Sequence, residues 1–359
     1  MKSRKQILLF VCILTLTLTM TAGAFAGRKV IIDADMGSWN DDAKATAMLV
    51  QAEDVEVLGI TLCAGNGWIP GQITAAVNLL ENLLGRPDIP IVAGAVEPLM
   101  GNRQPWLEAE ERLWGNAEYL GAYSRPMVTE LPPEAEKLHP GHAVDFIVET
   151  VKANPDEVTI FVLGPATNLA LAIRKNPEIV PMVKQVIYMG GAIDIPGNTT
   201  PTAEFNWWFD PEAIKITLRA PFEEQLVVPN DIAEAVYYTK EQFDRIVVRP
   251  STPIVELFKS QASSFESNPN RQSFVWDTLT AAVFIDPSIA TRVETRYLDV
   301  DTSYGPNYGR SIGYYESRRR DFENPENFPA GTQSVQVLFD IDRDKFWDLW
   351  IDLLSKPID

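Results

Sequence analysis

The sequence predicts an α/β fold of the Rossmann-like type, in which helices flank a mostly parallel central sheet. Three observations support this. Apolar runs alternate with stretches of helical periodicity along most of the chain, as in βαβ units. The runs are continuously apolar, which indicates strands buried on both faces. Acidic residues follow the first run, at the strand end where such sheets bind ligands.

Strands and helices alternate from residue 30 onward. Each predicted strand is a short, mainly aliphatic run. The predicted strands are 30–32, 55–62, 91–93, 158–163, 186–189, 225–228 and 334–339. Each predicted helix repeats apolar residues at the helical period. The predicted helices are 42–51, 72–84, 141–153, 166–175, 211–218 and 343–355.

Two long segments interrupt the alternation. Residues 98–139 are rich in Trp, Glu and Pro, and residues 301–329 are rich in Tyr, Arg, Asn and Gly. Long loops of α/β folds often form the walls of an active site. The sequence shows no internal repeat and no convincing linker, so we expect a single domain over residues 27–359.

The first 26 residues are typical of a secretory signal peptide. A basic start precedes an apolar stretch, 7–20, which is too short to span a bilayer comfortably, and 24–26 form a small-x-small cleavage site. We therefore expect a periplasmic or secreted protein that has no membrane segment after cleavage. An uncleaved anchor is the alternative.

The mature chain is strongly acidic. Cleavage removes three basic residues and changes the formal net charge from −18 to −21, with 28 Lys and Arg against 49 Asp and Glu. This charge argues against a nucleic-acid partner or binding to an anionic membrane. Cys63 is the only cysteine after residue 26, so no intrachain disulfide can form and stability must come from a packed core.

Four carboxylates fall within ten residues directly after the first strand: Asp33, Asp35, Asp41 and Asp42. Their mutual repulsion at the end of a buried strand costs stability, and a hard divalent cation such as Ca²⁺ would offset that cost. The alternative is helix capping, because acids are favourable at a helix start. Capping needs one acid rather than four, so we expect Asp35 and Asp42 to bind a metal ion.

The segment Asp33-x-Asp35-x-Gly37, followed by Asp41-Asp42-Ala43, resembles the opening motif of the nucleoside hydrolases, which are calcium-dependent N-ribohydrolases of the inosine-uridine-preferring type. Further matching segments extend over most of the mature chain. They are 59–66, 163–168, 189–191, 197–198, 203–206, 210–213 and 276–282. The resemblance implies the nucleoside hydrolase fold and hydrolysis of the N-glycosidic bond of ribonucleosides to free base and ribose. We also expect a homo-oligomer, either a dimer or a tetramer.

The resemblance implies a calcium site and a catalytic base. Asp35, Asp42 and Asp277 would bind Ca²⁺ through side-chain oxygens, and Leu163 would bind it through its main-chain carbonyl. Asp35 would deprotonate the metal-bound water. Together with Asp277 and Asn206, it would form the catalytic set, because carboxylate and amide oxygens stabilise the oxocarbenium character of the ribose.

The resemblance also implies contacts to the nucleoside. Asp41 would hold the 2′-hydroxyl, and Asn206 would hold the ribose hydroxyls near the metal. Asn198 and Glu204 would hold the 5′-hydroxyl, and Asn66 would lie beside the ribose.

Two tryptophans suggest the base preference. Many family members carry histidines at two positions of the base pocket, and here those positions are Trp276 and Trp114. This pattern resembles the purine-preferring branch, since indole rings can sandwich a purine at about 0.5–1.5 kcal/mol per aromatic pair. The alternative is that both rings pack in the core. His139 and His142 precede a predicted helix, and we interpret them as structural.

The chain departs from the family pattern in one loop. Residues 38–40 separate Gly37 from Asp41, where the best-studied members have one residue, and Met36 replaces the usual proline. Trp39 is therefore a candidate to enter the site. The other candidate tryptophans are Trp68, Trp207 and Trp208, of which Trp208 is expected to be structural.

Three other functions remain open at this point. The protein could bind nucleosides without turnover, hydrolyse another ribosyl compound on the same scaffold, or be a structural protein with a stabilising Ca²⁺ site. The intact set of Asp35, Asp42, Asp277 and Asn206 argues against the first.

Overall fold

The computed structural model describes residues 27–101, 103–115, 117–315 and 329–358, and at Trp114 it describes the backbone alone. The predicted signal peptide, residues 1–26, lies outside the described residues. Within the described ranges, no helix combines the length and apolar character that crossing a membrane requires.

The described residues form strands, helices and short turns in close alternation. The strands are β1 Arg28–Ala34, β2 Val55–Leu62, β3 Ile91–Ala93, β4 Val158–Val162, β5 Gln185–Met189, β6 Gln225–Val228, β7 Tyr237–Tyr238, β8 Ser273–Phe274, β9 Ala290–Val300, β10 Ser311–Tyr314 and β11 Ser334–Ile341. The helices are α1 Asp41–Gln51, α2 Ile69–Asn78, α3 Gln104–Trp114, α4 Ala143–Ala153, α5 Thr167–Lys175, α6 Phe205–Phe209, α7 Pro211–Arg219, α8 Asn230–Ala233, α9 Lys240–Val247, α10 Pro253–Ser260, α11 Ala262–Ser267, α12 Trp276–Ile285 and α13 Arg343–Leu354. A π-helical turn, Leu79–Leu83, continues α2, and 3₁₀ turns lie at Gly121–Ser124, Pro133–Lys137, Pro177–Met182 and Pro287–Ile289.

Nine strands join one mostly parallel sheet. Their order is β10-β9-β11-β6-β5-β4-β1-β2-β3, and β7 pairs with β8 separately. Every pair from β11 to β3 is parallel, whereas β9 is antiparallel to both β11 and β10. The α/β fold with a mostly parallel central sheet is confirmed.

Helices cover both faces of this sheet. Val30 and Ile32 of β1 pack with α1, α2, α12 and α13, whereas Ile31 packs on the opposite face with α4, α5 and α7. Successive residues of a strand point to opposite faces, so a continuously apolar strand needs a core on each side.

Several elements differ from the sequence predictions. The helix predicted at 72–84 begins at Ile69. Its first turn includes Pro70, and proline is tolerated at that position of a helix. Helix α3 lies within the segment predicted as loop. Strands β7 to β10 and helices α6 and α8 to α12 were not predicted. The first half of β9 is largely polar and exposed, since an antiparallel strand near a sheet edge can face water on one side.

The chain reverses its direction along the sheet at β1. From β1 it moves outward through β2 to β3, and then returns to β4 on the other side of β1 before continuing to β5 and β6. A switch of this kind opens a crevice at the carboxyl ends of the two central strands. The acidic segment after β1 lies at that crevice.

Candidate active site

A cavity of about 710 Å³ lies at this end of the sheet. Its described lining includes residues that follow β1, β2, β4 and β5. They are Gly37, Asn40, Asp41, Asn66, Glu118, Tyr119, Arg125, Leu163, Met189, Gly197, Asn198, Glu204, Phe205, Asn206, Glu234, Phe274, Trp276 and Asp277. The volume is within the usual range for small-molecule sites.

Helix α1 presents two acids to this region. Its N-cap is Asn40, whose Oδ1 accepts a hydrogen bond from the Ala43 main-chain nitrogen at 3.2 Å. The Asn40 Nδ2 also donates to Asp42 Oδ2 at 2.6 Å. Because Asn40 caps the helix, Asp41 and Asp42 are not needed for that purpose.

Three carboxylates converge where α1 meets α12. Oxygens of Asp41, Asp42 and Asp277 all lie within 4.8 Å of one another. Asp42 and Asp277 are buried and Asp41 is half-buried. Asp277 Oδ1 is buried and has no hydrogen-bond partner among the described residues. Three close carboxylates with an unpaired buried oxygen match the donor set of a hard divalent cation.

Burial raises the pKa of all three carboxylates in this trio. Burial, followed by repulsion from Asp41, raises the pKa of Asp42 to about 7. Burial, followed by repulsion from Asp41 and Asp42, raises the pKa of Asp277 well above its ordinary value. A bound divalent cation would reverse both effects, because it favours the ionised carboxylates.

Lys44 supplies a partial counter-charge. Its ammonium donates to the main-chain carbonyls of Trp39 at 2.8 Å and Asn40 at 3.2 Å. Burial lowers the pKa of Lys44 to about 8, and the charges of Asp41 and Asp277 oppose that shift. The sequence reasoning did not identify this lysine.

Asp35 lies beside the trio and is fully buried. The main-chain nitrogen of Asn66 donates to Asp35 Oδ2 at 2.7 Å, and Asn66 Nδ2 donates to Asp35 Oδ1 at 3.0 Å. The Asp35 main-chain nitrogen donates to Asp42 Oδ1 at 3.2 Å. Burial and the nearby Asp42 raise the pKa of Asp35 well above its ordinary value. In the described structure Asp35 is not part of the trio, so its role as a metal ligand stays a prediction.

A glycine makes room for the Asp35 carboxylate. A Cβ atom on Gly65 would lie 2.0 Å from Asp35 Oδ2, which is well inside van der Waals contact. Gly65 is therefore needed for the close approach of the 65–66 backbone to Asp35.

Asp33 serves the scaffold rather than the cavity. Its Oδ1 accepts hydrogen bonds from Thr61 at 2.6 Å and from Asn168 at 2.8 Å. Asn168 Oδ1 in turn accepts from the Ala95 main-chain nitrogen at 2.8 Å. Burial raises the pKa of Asp33 to about 6. This network ties β1 to β2, to the chain after β3 and to helix α5.

The residues predicted to hold the ribose share one wall of the cavity. Asn206 Nδ2 donates to the Leu163 carbonyl at 2.8 Å and to the Met189 carbonyl at 3.1 Å. Asn198 Oδ1 accepts from the Phe205 main-chain nitrogen at 3.0 Å. These bonds fix Asn206 and Asn198 against the ends of β4, β5 and α6.

Glu204 caps α6 through its buried carboxylate. It accepts from the main-chain nitrogens of Gly191 at 2.8 Å, Asn206 at 2.9 Å and Trp207 at 3.2 Å. Burial raises the pKa of Glu204 to about 7 against these bonds. Glu204 lines the cavity, but both of its oxygens already accept main-chain hydrogen bonds, and its predicted contact to the 5′-hydroxyl stays a prediction.

Two aromatic pairs line the cavity. Phe274 and Trp276 stack with centroids 4.6 Å apart and planes 11° apart. Tyr119 and Phe205 lie 4.8 Å apart at 58°. The Trp276 indole nitrogen is buried without a partner in the described structure. Trp276 thus lies at the cavity with Phe274 stacked over its ring, whereas the side chain of Trp114 lies outside the described residues.

The other candidate tryptophans pack elsewhere. Trp39 packs edge-on against Phe258 with centroids 5.8 Å apart, and Trp68, Trp207 and Trp208 are buried. None of the four is among the described residues that line this cavity. His142 Nδ1 caps α4 by accepting from the Val144 nitrogen at 3.2 Å, and His139 packs on Phe146.

The sequence reasoning also missed several lining residues. Tyr119, Glu118 and Arg125 belong to the 98–139 segment, which was expected to form a wall but not assigned residue by residue. Phe205 lies within a matched segment, beside Asn206. Glu234 faces the Glu118 charge, which adds to the effect of burial in raising the pKa of Glu234.

Comparison with known proteins decides the family. Residues 30–348 match the family model for inosine-uridine preferring nucleoside hydrolases. The chain belongs to the nucleoside hydrolase family. The chain is therefore an N-ribohydrolase by family, and this family is metal-dependent, usually on calcium.

Individual relatives belong to the same family, but their names indicate different base preferences. The pyrimidine-specific ribonucleoside hydrolase RihB of Escherichia coli is 30% identical over 327 residues, or 90% of this chain and 95% of the relative. A plant nucleoside hydrolase is 29% identical, with a TM-score of 0.74 over 92% of this chain and 99% of its own. An inosine-guanosine nucleoside hydrolase, 23% identical with a TM-score of 0.73, shares the fold over 91% of this chain and 98% of its own.

Proposed function

We propose that this nucleoside hydrolase is calcium-dependent, cleaves the N-glycosidic bond of purine ribonucleosides and acts outside the cytoplasm. The observation that carries the proposal is the trio of Asp41, Asp42 and Asp277 at a nucleoside-sized cavity. Ca²⁺ prefers several oxygen ligands, which these side chains, Asp35 and the Leu163 carbonyl would supply.

The reaction divides among the residues around the cavity. A bound Ca²⁺ would lower the pKa of a water molecule and hold the ribose hydroxyls. Asp35 accepts the proton of the attacking water, whose oxygen bonds to C1′. The C1′–N bond breaks, its electron pair passes to the base nitrogen, and the base takes a proton from solvent. Asn206 and Asp277 stabilise the positive charge that develops on the ribose.

The purine preference is supported by the stack of Phe274 on Trp276. Trp276 lines the cavity with Phe274 stacked over its indole ring, and a two-ring base gains more contact with an aromatic ring than a one-ring base does. The name of the E. coli relative points to pyrimidines instead. A pyrimidine preference is therefore the competing outcome, and it requires direct measurement.

The decisive experiment is a hydrolysis panel with inosine, adenosine, guanosine, uridine and cytidine, with and without a chelator. We expect ribose release from the purine nucleosides, its loss in chelator and its recovery with added Ca²⁺. The Asp35→Asn variant, purified in parallel, controls for contaminating hydrolases and should release no ribose. Activity that survives chelation would refute calcium dependence, and faster uridine and cytidine turnover would refute the purine preference.

Export is the remaining part of the proposal. Its support is the sequence of residues 1–26, with a basic start, an apolar stretch and a small-x-small site. Expression of the full chain, followed by fractionation and N-terminal sequencing, should find a mature protein that begins at residue 27. A full-length cytoplasmic product would refute it. The predicted dimer or tetramer stays a prediction.

A further inference from the structure

Tyr119 begins a chain of hydrogen bonds that ends at Asp35. Its hydroxyl donates to Asn66 Oδ1 at 2.9 Å. Asn66 then donates to both oxygens of the Asp35 carboxylate, through Nδ2 at 3.0 Å and through its main-chain nitrogen at 2.7 Å. Asn66 is therefore the link between a residue at the cavity surface and the proposed catalytic base.

The segment that carries Tyr119 is fastened across the Gly65–Asn66 turn. Residues 118–122, which we call the strap, are attached at each end. The Glu118 main-chain nitrogen donates to the Thr199 carbonyl at 2.8 Å, and the Ala122 nitrogen donates to the Gly65 carbonyl at 2.8 Å. Between these ends, the Tyr119 ring lies against Phe205. The strap therefore holds the Tyr119 hydroxyl above Asn66.

A glycine allows the strap to lie this close. Gly121 has φ +56°, and a Cβ atom there would lie 2.6 Å from the Gly65 carbonyl oxygen and 2.4 Å from the Phe205 ring. Any other residue would be strained and would push the strap away from the turn. The close contact between strap and turn is thus built into the backbone.

We propose that Tyr119 is a positioning residue for the hydrolysis: it fixes the Asn66 side chain, which in turn holds the Asp35 carboxylate toward the attacking water. This inference rests on the proposed function of the site. The Tyr119 hydroxyl donates to the Asn66 amide oxygen, while the side-chain and main-chain nitrogens of Asn66 both donate to Asp35. Without the hydroxyl, the Asn66 side chain can rotate away, and one Asp35 oxygen then loses its donor. Positioning of this kind contributes directly to rate, because a misplaced base lowers the productive fraction of complexes.

Tyr119 is also accessible from the cavity. Its side chain is 42% exposed and it lines the cavity, so a direct contact with the nucleoside is the competing role. The two roles differ in their kinetics. Loss of a substrate-binding contact raises KM with kcat unchanged and does not depend on Asn66. Loss of positioning lowers kcat and kcat/KM together and depends on Asn66.

The experiment compares Tyr119→Phe with a matched control. Tyr119→Phe keeps the ring on Phe205 and removes one hydroxyl. We expect kcat to fall about five- to tenfold, as for the loss of one hydrogen bond, with KM within about twofold of the wild type. The control is Tyr304→Phe, because Tyr304 is exposed, packs on Trp106 and does not line the described cavity. It should leave kcat unchanged.

A double-mutant cycle tests the link through Asn66. In an Asn66→Ala background, Tyr119→Phe should cause no further loss of kcat, because the two residues act through one contact. An unchanged kcat in Tyr119→Phe, an effect on KM alone, or an equal loss in the Asn66→Ala background would overturn the proposal.

A structural measurement keeps this inference separate from the proposed function. Crystal structures of the wild type and Tyr119→Phe should show Asn66 Nδ2 bonded to Asp35 in the first and displaced or in two conformers in the second. Identical Asn66–Asp35 contacts in both would refute the positioning role. If the wild type hydrolyses no nucleoside in the panel, the proposed function fails, and this comparison still decides whether Tyr119 orders Asn66.

Discussion

Replacing Asp277 by Asn should stabilise the metal-free protein and weaken its response to calcium. Asp277 shares a space with Asp41 and Asp42, and their oxygens lie within 4.8 Å of one another. Two unit charges at that distance repel by about 3 kcal/mol at an effective dielectric constant near 20. Asn has nearly the same shape as Asp and carries no charge, so the substitution removes both repulsive pairs of Asp277.

The pH decides how much of this repulsion the wild type carries. The pKa values of Asp42 and Asp277 are raised in the folded state, Asp42 to about 7. A raised carboxylate pKa means that the folded state binds protons more tightly than the unfolded state. Its stabilising effect is present below about pH 4 and is lost as the pH rises through the folded pKa. The metal-free wild type therefore carries more of this repulsion at pH 8 than at pH 5.

Partial protonation and solvent screening reduce the gain. We expect a net stabilisation of about 2 kcal/mol at pH 8 in chelator, which corresponds to a rise in Tm of about 3 °C for a chain of this size. At pH 5 the difference should be small. Calcium at a hundredfold excess over Kd should stabilise the wild type by about 2.7 kcal/mol and the variant by much less, because the variant lacks one carboxylate ligand.

The assay is thermal unfolding of the wild type, Asp277→Asn and Asp344→Asn, each at both pH values in chelator and in calcium. Asp344 is an exposed acid in the first turn of α13, so its variant controls for a change of one surface charge and should show neither effect. If Asp277→Asn is no more stable than the wild type in chelator at pH 8, or if calcium raises its Tm as much as that of the wild type, the three carboxylates do not form a shared cation site.

Three further predictions concern the same cavity. Calcium affinity, measured by isothermal titration calorimetry, should fall from pH 8 to pH 6, because protons compete for Asp42 near its pKa of about 7; equal affinity at both pH values would contradict this. Trp276→Ala should lower kcat/KM more for inosine than for uridine, since the larger base loses more stacking, and equal losses would remove the stacking argument. Gly65→Ala should lower kcat by at least about a hundredfold, because its Cβ would lie 2.0 Å from Asp35 Oδ2 and misplacing a catalytic group by about 1 Å costs that much; Gly71→Ala, where a Cβ would meet no atom within 4 Å, is its control.

The fold could be predicted from the sequence because burial leaves a local pattern. The strands at 55–62, 91–93 and 225–228 have the predicted bounds, since each is an apolar run bounded by turn or polar residues. Strand β9 lacked that pattern because half of it faces water. Helices α9 to α11 were not predicted, because the prediction relied on helices alternating with strands. No strand of the main sheet lies between these three helices.

The candidate site could be predicted in part. The acids at the end of β1 and just after it are close together in the sequence, so their clustering was visible as a pattern. The separation of their roles was not visible, because Asp33 bonds to Thr61 and Asn168 while Asp35 bonds to Asn66. Those contacts depend on which strand lies beside β1, and no local spacing encodes that order.

The sequence alone determined the layered α/β architecture, the acidic segment at a strand end and the resemblance to the nucleoside hydrolases. Each of these depends on short patterns of residues that are adjacent in the sequence. The resemblance already implied that Asp277 shares a site with Asp42. Only the tertiary structure decided that Asp41 lies with them, that Phe274 stacks on Trp276, and that Tyr119 contacts Asn66. Contacts of this kind form between segments far apart in the chain, at the carboxyl ends of the central strands, where strand order and loop path bring them together. Their positions follow from the packing of all these elements rather than from the periodicity of any one segment.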